Sequence, residues 1–294
     1  MLTISTANVL DPVVRSPGYW AGVWRRFRRD PLAVAAGVVI LLLILMALFA
    51  PWVAPQDPYR GMTLRRLRPP GTEGFPLGTD ELGRDMLSRL IHGARLSLFM
   101  GITPVFVALF IGSAIGIAAG YVGGWLNTIL MRTIDVLFAF PSVLLAIALS
   151  GALGAGIVNG LISLTIVFIP PIARVAESVT TAVRTRDYVD AARASGAGSF
   201  TIIRVHILGN VLGPIFVYAM SLVAVSMILA SGLSFLGLGV KPPEPEWGLM
   251  LNTLRTAIYT QPLLCALPGI MIFITSISFN LLTDGLRSAM DIKA

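Results

Sequence analysis

The chain has 294 residues, of which 55% are hydrophobic and only 13% are charged, and its formal net charge is +7. This charged fraction is about half that of a soluble globular domain, so the composition favours a membrane protein. Neither of the two lysines follows the glycine spacing of a phosphate-binding loop, and no H-E-x-x-H or G-x-S-x-G motif occurs. The sequence therefore predicts a membrane protein with no nucleotide site or hydrolytic centre of its own.

Long runs without charged residues predict the membrane spans. A transmembrane helix needs about 20 apolar residues, so four of the runs hold one span each. The third run has a glycine-rich middle and holds two spans in a hairpin. The runs are residues 31–56, 96–131, 136–173, 205–240 and 256–283. The predicted fold class is an all-α membrane protein with six transmembrane helices.

The N-terminal part is predicted to enter the membrane once. Residues 1–31 form a cytoplasmic tail, because four arginines precede the first apolar run and basic residues favour the inner side. Residues 32–54 form the first transmembrane helix. They are too long for a signal peptide and lack its small-residue cleavage site, so the segment is retained. Residues 55–95 form an extracytoplasmic loop, which is more basic than the charge rule favours.

The remaining five spans lie within residues 96–284, and residues 285–294 form a cytoplasmic C-terminal tail. Glycines recur every fourth residue at Gly112, Gly116, Gly120 and Gly124. Small residues at this spacing allow close approach of helix backbones, so helix packing is the favoured interpretation and a gating role the alternative. Pro170–Pro171 is predicted to end the fourth span.

Ionisable residues beside the spans are candidates for function. Asp135 is one such residue, and an interfacial ion pair with Arg132 is the favoured explanation for it. Arg255 and Asp284 bracket the sixth span and are expected to mark its two interfaces. The net positive charge is explained by membrane topology and anionic lipid headgroups, and no basic soluble face indicates nucleic-acid binding.

Metal and disulfide chemistry have little support in the sequence. His92 and His206 are predicted to lie on opposite sides of the membrane, so they do not share a metal ion. Cys265 is the only cysteine and lies in an apolar run. A single thiol forms no intramolecular disulfide, and a small buried residue is the expected role.

One long polar segment, residues 184–210, interrupts the apolar runs. Asp187 is predicted to cap a short helix, with Asp190 in the capping-box position, and Gly196 provides a left-handed stop. Ser199 is predicted to cap a second short helix. Ala191 and Ala192 are small enough for close approach of another surface. The segment is interpreted as a docking loop of two helices joined at a glycine, and a solvated connector is the alternative.

The docking loop also carries a family resemblance. Asp190, Ala191, Ala192 and Gly196 form a D-A-A-x3-G pattern that resembles the EAA loop of permease subunits of ATP-binding-cassette (ABC) importers. Further segments are similar to the C-type subunit of the dipeptide and oligopeptide (peptide/nickel) family. They are WRRFRRDPLA, LGTDELGRDMLSRLIHGARLSL, DVLFAFPSVLLAI, SFLGLGVKPPEPEWGLML and LPGIMIFITSISFNLLTDGLRSAMD. Together they cover nearly the whole chain in the family order.

This resemblance implies a type I importer permease fold, a core at residues 96–284 and a multi-pass location in a bacterial or archaeal cytoplasmic membrane. It implies a homologous B-type permease, two ATPase subunits and an extracytoplasmic solute-binding protein as partners, with lipid around the spans. ATP and Mg would be bound by the ATPase subunits, so no cofactor is expected in this chain. Asp187, Asp190, Ala191, Ala192 and Gly196 would form the ATPase-coupling loop.

The sequence departs from the family pattern twice in that loop. Asp190 stands where Glu is usual, which keeps the charge and shortens its reach, and Gly209 stands where Pro is usual. The cargo implied is di- or oligopeptide, with nickel chelate or glutathione as alternatives in the same class. A passive channel is a remote alternative. A membrane enzyme would need a nucleophile with a base or a metal cluster, which the sequence does not offer.

Overall fold

The computed structural model describes residues 19–290, so the predicted terminal tails lie partly outside it. Over this range the chain folds into helices and turns without a β-strand, which confirms the all-α prediction. The α-helices are α1 Tyr19–Phe27, α2 Pro31–Leu48, α3 Ala50–Val53, α4 Met86–Val122, α5 Gly124–Phe138, α6 Ser142–Leu153, α7 Ile157–Arg184, α8 Asp187–Ala194, α9 Ser199–Ile202, α10 Leu208–Phe235, α11 Trp247–Leu254 and α12 Pro262–Met290. Thr63–Arg65 and Arg255–Tyr259 form 3₁₀ turns, and Ile203–Ile207 forms a π-helical turn.

Five helical segments are long and apolar enough to cross a membrane. They are α2, α4, α7, α12 and the continuous stretch Ser199–Phe235, which includes α9 and α10. Helices α5 and α6 meet the same criterion only as a pair, and they are bent by 86° at the break between them. Pro141 lies at this break, where its missing N–H and its ring prevent α5 from continuing.

The direction of packing shows that this bent pair crosses the bundle. Successive glycines of α4 contact successive residues of α7: Gly112 lies against Ile169 and Ile172, Gly116 against Ala173 and Ala176, and Gly120 against Glu177 and Thr180. The two helices therefore run parallel. The chain leaves α4 at one end of the bundle and enters α7 at the other end. Helices α5 and α6 must therefore together cross the bundle once, in the direction opposite to α4 and α7. The bundle thus has six crossings, as predicted.

The glycine spacing has the predicted role at three of its four positions. A side chain on Gly112, Gly116 or Gly120 would collide with α7, so these glycines allow the close α4–α7 packing. At Gly124 the prediction is wrong, because a Cβ there would meet nothing within 4 Å. Gly124 has a φ of +56° and instead permits the turn from α4 into α5.

Two further predictions in this region are wrong. Pro170 and Pro171 do not end the fourth span: both lie inside α7, where tertiary packing against α4 outweighs their local preference. Asp135 pairs with Arg174 of α7 and not with Arg132, which is exposed. The reason is that α5 packs beside α7, so a residue distant in sequence is nearer than the residue one turn away.

Helix α4 begins at Met86, ten residues before the charge-free run that predicted it. Asp85 caps this start by accepting a hydrogen bond from the Ser88 backbone N–H at 2.8 Å. Arg95 donates to the carbonyls of Ala47 (2.5 Å) and Leu48 (3.0 Å) at the C-terminus of α2. Charged residues in the first turns of α4 therefore have hydrogen-bond partners within the fold. For this reason the start of the charge-free run did not coincide with the start of the helix.

Residues 54–85, called here the head segment, fold over the end of the bundle where α4 begins. Asp80 accepts hydrogen bonds from the Arg84 Nε (2.6 Å) and lies 3.1 Å from the Arg89 Nε. All three side chains are at most 5% exposed. Arg89 also donates to the carbonyl of Pro58 at 3.0 Å. This network fixes the head segment to α4.

A second buried polar group supports the same end. Glu246 caps α11 by accepting hydrogen bonds from the backbone N–H groups of Gly248 (2.9 Å) and Leu249 (2.8 Å). Burial raises the pKa of the Glu246 carboxyl, although these bonds and one from the Ser97 hydroxyl oppose that rise. Trp247 is fully buried and donates its indole N–H to the carbonyl of Leu90. Helices α4 and α11 are thereby joined.

Candidate functional site

The predicted docking loop lies at the opposite end of the bundle, called here the loop end. The chain leaves α7 at Arg184, forms α8, turns through residues 195–198 and enters α10 by way of α9 and the π-helical turn. Gly196 has a φ of +81°, so it provides the predicted left-handed turn between the two short helices. The local architecture of the loop is therefore as predicted.

The predicted helix caps are wrong. Helix α8 has Arg186 at its N-cap and no capping side chain, and Asp187 is its first residue. Likewise α9 starts at Ser199, after an N-cap at Gly198. Asp187 and Asp190 still lie in the first turn of α8, where negative charge opposes the helix dipole favourably. Asp190 also accepts a hydrogen bond from the Arg193 guanidinium at 2.9 Å.

Helix α8 has two different faces. Val189 is completely buried in the main core, and Ala192 packs partly buried against the same core. The opposite face carries Asp187, Asp190 and Ala191, all of them exposed. The structure thus brings three of the predicted residues together on one surface and turns Ala192 away from it. A partner could approach closely at Ala191 and not at Ala192.

Three apolar anchors hold the loop to the bundle. Val189 of α8, Ile202 of α9 and Ile207 of the π-helical turn are each at most 2% exposed. Val189 lies outside the residues that the loop motif marks. The available signal was that it is the only aliphatic side chain larger than alanine in α8. The anchors leave the outer surface of the loop free while fixing its position.

Exposed aromatic residues extend the free surface. Phe200 is 76% exposed and Tyr188 is 43% exposed, and the Tyr188 ring lies beside that of His206. Large exposed aromatic side chains are typical of protein interfaces. With the exposed residues Asp187, Asp190 and Ala191, these side chains form a surface called here the docking face.

The loop is also connected to the ends of the long helices. The Arg193 guanidinium lies over the Tyr121 ring at 6.0 Å, and Arg184 donates to the carbonyl of Gly120 at 3.3 Å. Both contacts reach the C-terminal end of α4. His206 belongs to the loop end, whereas His92 lies near the start of α4, so the two histidines are at opposite ends of the bundle.

Comparison with known proteins identifies the family. Residues 112–293 match the family described as binding-protein-dependent transport system inner membrane component. The chain belongs to this family of importer permeases. Residues 18–70 also match the N-terminal transmembrane domain of oligopeptide transport permease C. The resemblance seen in the sequence motifs is therefore confirmed.

Curated relatives and solved structures agree. The glutathione transport system permease protein GsiD of Pectobacterium atrosepticum is 43% identical over 97% of this chain and 94% of its own length. GsiD of Escherichia coli is 42% identical over 95% of this chain and 92% of its own. Inward-facing MetNI methionine ABC transporter structures match with TM-scores of 0.57 and 0.54 at 17% identity. They cover 69% and 68% of this chain and 97% of each matched chain, and at this identity they show the fold alone.

These findings place the chain as a multi-pass inner-membrane permease subunit of an ABC importer. It is a transport component and not an enzyme. The structural neighbours have the same permease fold, which agrees with the type I importer fold implied by the sequence.

Proposed function

We propose that this permease imports short peptides, with di- and oligopeptides as the main cargo and glutathione, itself a modified tripeptide, as the alternative. The observation that carries the proposal is the match of residues 18–70 to the oligopeptide permease C domain. The curated relatives are named for the transport of glutathione, and glutathione is chemically similar to a short peptide. Import of nickel chelates is a further alternative within the same family.

The proposed partners are those that the resemblance to ABC importer permeases implies. A homologous B-type permease completes the translocation path, two ATPase subunits bind ATP and Mg, and an extracytoplasmic binding protein delivers cargo. In this arrangement the loop end faces the cytoplasm, together with both termini, and residues 55–95 face outward. The arginines around α1 and in the docking loop support this orientation, because basic residues concentrate on the cytoplasmic side. A reporter fused after Gln56 should report the outer side, and a reporter fused after Arg184 should report the cytoplasmic side.

The docking face couples this subunit to an ATPase. Ala191 permits close contact, the acidic residues Asp187 and Asp190 offer charge, and exposed Phe200 offers apolar area. Because Val189 anchors α8 in the core, displacement of the docked helix is transmitted to the membrane helices. Rigid-body movement of one bundle against another is the established way for such a path to alternate its access.

Reconstitution in liposomes tests the proposal. The full set of subunits with ATP inside should accumulate labelled di- and oligopeptides, and this subunit alone should accumulate nothing. Uptake by the subunit alone would overturn the heteromeric assembly. Uptake of nickel chelates without any peptide would overturn the cargo, and peptide flux without ATP would favour a passive channel.

A further inference from the structure

A polar cavity of about 520 Å³ lies between α7, α10 and α12 near the loop end. Its polar lining consists of Asn210, Tyr218, Ser221, Thr283, Asp284 and Arg287. The volume falls in the range of about 300–1,000 Å³ that small-molecule sites occupy. Asp284, expected from the sequence only to mark an interface, is thus part of a cavity wall.

The cavity opens on a face that the N-terminal span leaves uncovered. Helix α2 packs against α12 and α4, whereas the cavity is lined by residues of α7, α10 and α12. Charged groups at membrane depth face water or a partner chain, because exposure to lipid is costly. Asp284 and Arg287 are exposed in the last two turns of α12, close to the loop end, so this face is open to water from that side of the membrane.

A second cavity, of about 360 Å³, lies farther from the loop end and is lined by residues of α5, α6, α7 and α10. On α10, the residues that line the polar cavity end at Ser221, and those that line the second cavity begin at Leu222. Its lining is apolar apart from Ser142 and includes Phe138, Phe140 and Phe168. The two cavities therefore follow each other along α7 and α10, the first with polar and charged lining residues and the second with a mostly apolar lining.

The charges in the polar cavity are arranged for a zwitterion. Asp284 and Arg287 are exposed and lie one turn apart on α12, yet within residues 21–290 neither forms an ion pair. Side chains at this spacing are about 5–6 Å apart at Cβ. A dipeptide spans at most about 7 Å, so its two charged ends can reach both groups. Guanidinium binds carboxylate in a bidentate manner, and carboxylate accepts hydrogen bonds from ammonium.

We propose that this cavity is a cargo-binding vestibule, in which Arg287 receives the terminal carboxylate and Asp284 the terminal ammonium group of a peptide. Tyr218 and Ser221 offer further hydrogen-bonding groups to the peptide backbone. The inference rests on the proposed function for the class of cargo, and it assigns to this subunit a site with its own affinity.

Equilibrium binding to the importer complex tests the vestibule. The complex would be placed in nanodiscs without nucleotide or binding protein, and tritiated dialanine would be the ligand. Arg287→Gln should weaken dialanine binding at least tenfold and abolish the preference for dialanine over its C-terminal amide. Asp284→Asn should abolish the preference over N-acetyl-dialanine. Ser288→Ala, exposed on the same helix outside the cavity lining, should change nothing.

The contrary outcomes are distinct. Absence of saturable dialanine binding to the wild-type complex, or equal losses for free and capped peptides in both variants, would overturn the vestibule. If the variants fail to assemble, a Ser221→Cys variant in a Cys265→Ala background decides the question: dialanine should slow its alkylation, and unchanged alkylation overturns the site. Peptide uptake by liposomes without vestibule binding would overturn this inference alone, whereas absence of any peptide uptake would overturn the proposed cargo.

Discussion

The two ends of the bundle use the same residue types in opposite ways. In the head segment, Asp80 and Arg84 form an ion pair whose side chains are 2% and 5% exposed. At the loop end, Asp190 and Arg193 form an ion pair at a similar spacing, with side chains 65% and 40% exposed. The first pair is enclosed and has two further charged neighbours, Glu81 and Arg89. The second remains in contact with solvent.

The charged residues of the head segment therefore stabilise the fold, whereas those at the loop end are available for binding. A buried ion pair is costly to break, because removal of one partner leaves the other charge without compensation. An exposed pair contributes little to stability, so its side chains can exchange partners. Mutations of charged residues in the head segment are therefore expected to lower the stability of the protein. Mutations at the loop end are expected to weaken the coupling between the ATPase and transport.

The largest effect is expected at Asp80. Asp80→Ala leaves the buried Arg89 guanidinium without a carboxylate and leaves Arg84 with Glu81 alone, and it should lower the free energy of unfolding by about 3–5 kcal/mol. Thermal unfolding of the purified complex measures this. Asp57→Ala is the matched control, since Asp57 pairs with exposed Arg60 in the same segment, and it should cost less than about 1 kcal/mol. Equal losses in the two variants would contradict the distinction.

A smaller effect is expected where α4 and α7 touch. Gly116→Ala places a methyl group against the backbone of Ala173 and the side chain of Ala176, which should cost about 1–3 kcal/mol through overpacking. Gly232→Ala in α10 meets nothing within 4 Å. It should leave the melting temperature unchanged or raise it, because alanine favours helix more than glycine. A lower melting temperature for Gly232→Ala than for Gly116→Ala would refute the packing account.

At the loop end, the glycine turn offers a comparison of two neighbouring residues. Gly196 has a φ of +81° and Gly198 has a φ of −69°, and both have open space around them. Gly196→Val should strain the turn by about 1–2 kcal/mol and reduce uptake per ATP hydrolysed, with insertion intact. Gly198→Val should transport normally. Wild-type coupling in Gly196→Val would mean that the loop does not transmit the ATPase movement.

The smallest effect on stability is expected at Asp190. Because Asp190 does not cap α8, Asp190→Ala should change the free energy of unfolding by less than about 1 kcal/mol. It should nevertheless reduce the amount of ATPase that copurifies with the permease, since it removes charge from the docking face. Arg193→Gln is the control for loss of the ion pair alone. If both variants retain the ATPase equally well, Asp190 has no part in docking.

The outline of this fold could be predicted from apolar run lengths, because membrane thickness fixes how many apolar residues a span needs. The left-handed turn at Gly196 was also predictable, since it depends on a local backbone preference. Features that depend on tertiary contacts could not be predicted from the sequence. Arg174 reaches Asp135 from another helix, and Pro170 is accommodated by packing against α4.

The candidate site shows the same limit. The sequence marked Ala191 and Ala192 together, but only the packing of Val189 decides which of them faces outward. The predicted cap of α8 was wrong for a related reason. Helix α8 starts one position earlier than predicted, so Asp187 is its first helical residue and not its N-cap. A rotation of one residue along a helix changes which face a side chain occupies.

Cysteine cross-linking at these two alanines tests whether the outer face of α8 docks onto the ATPase. In a Cys265→Ala background, Ala191→Cys and Ala192→Cys would each be treated with a short bifunctional thiol reagent in membranes that contain the whole importer, with cysteines placed on the surface of the ATPase. We expect a cross-link to the ATPase from Ala191→Cys, altered by nucleotide, and none from Ala192→Cys, which packs against the core. No ATPase cross-link from Ala191→Cys, or one from a cysteine at Leu64 in the head segment, would contradict this expectation.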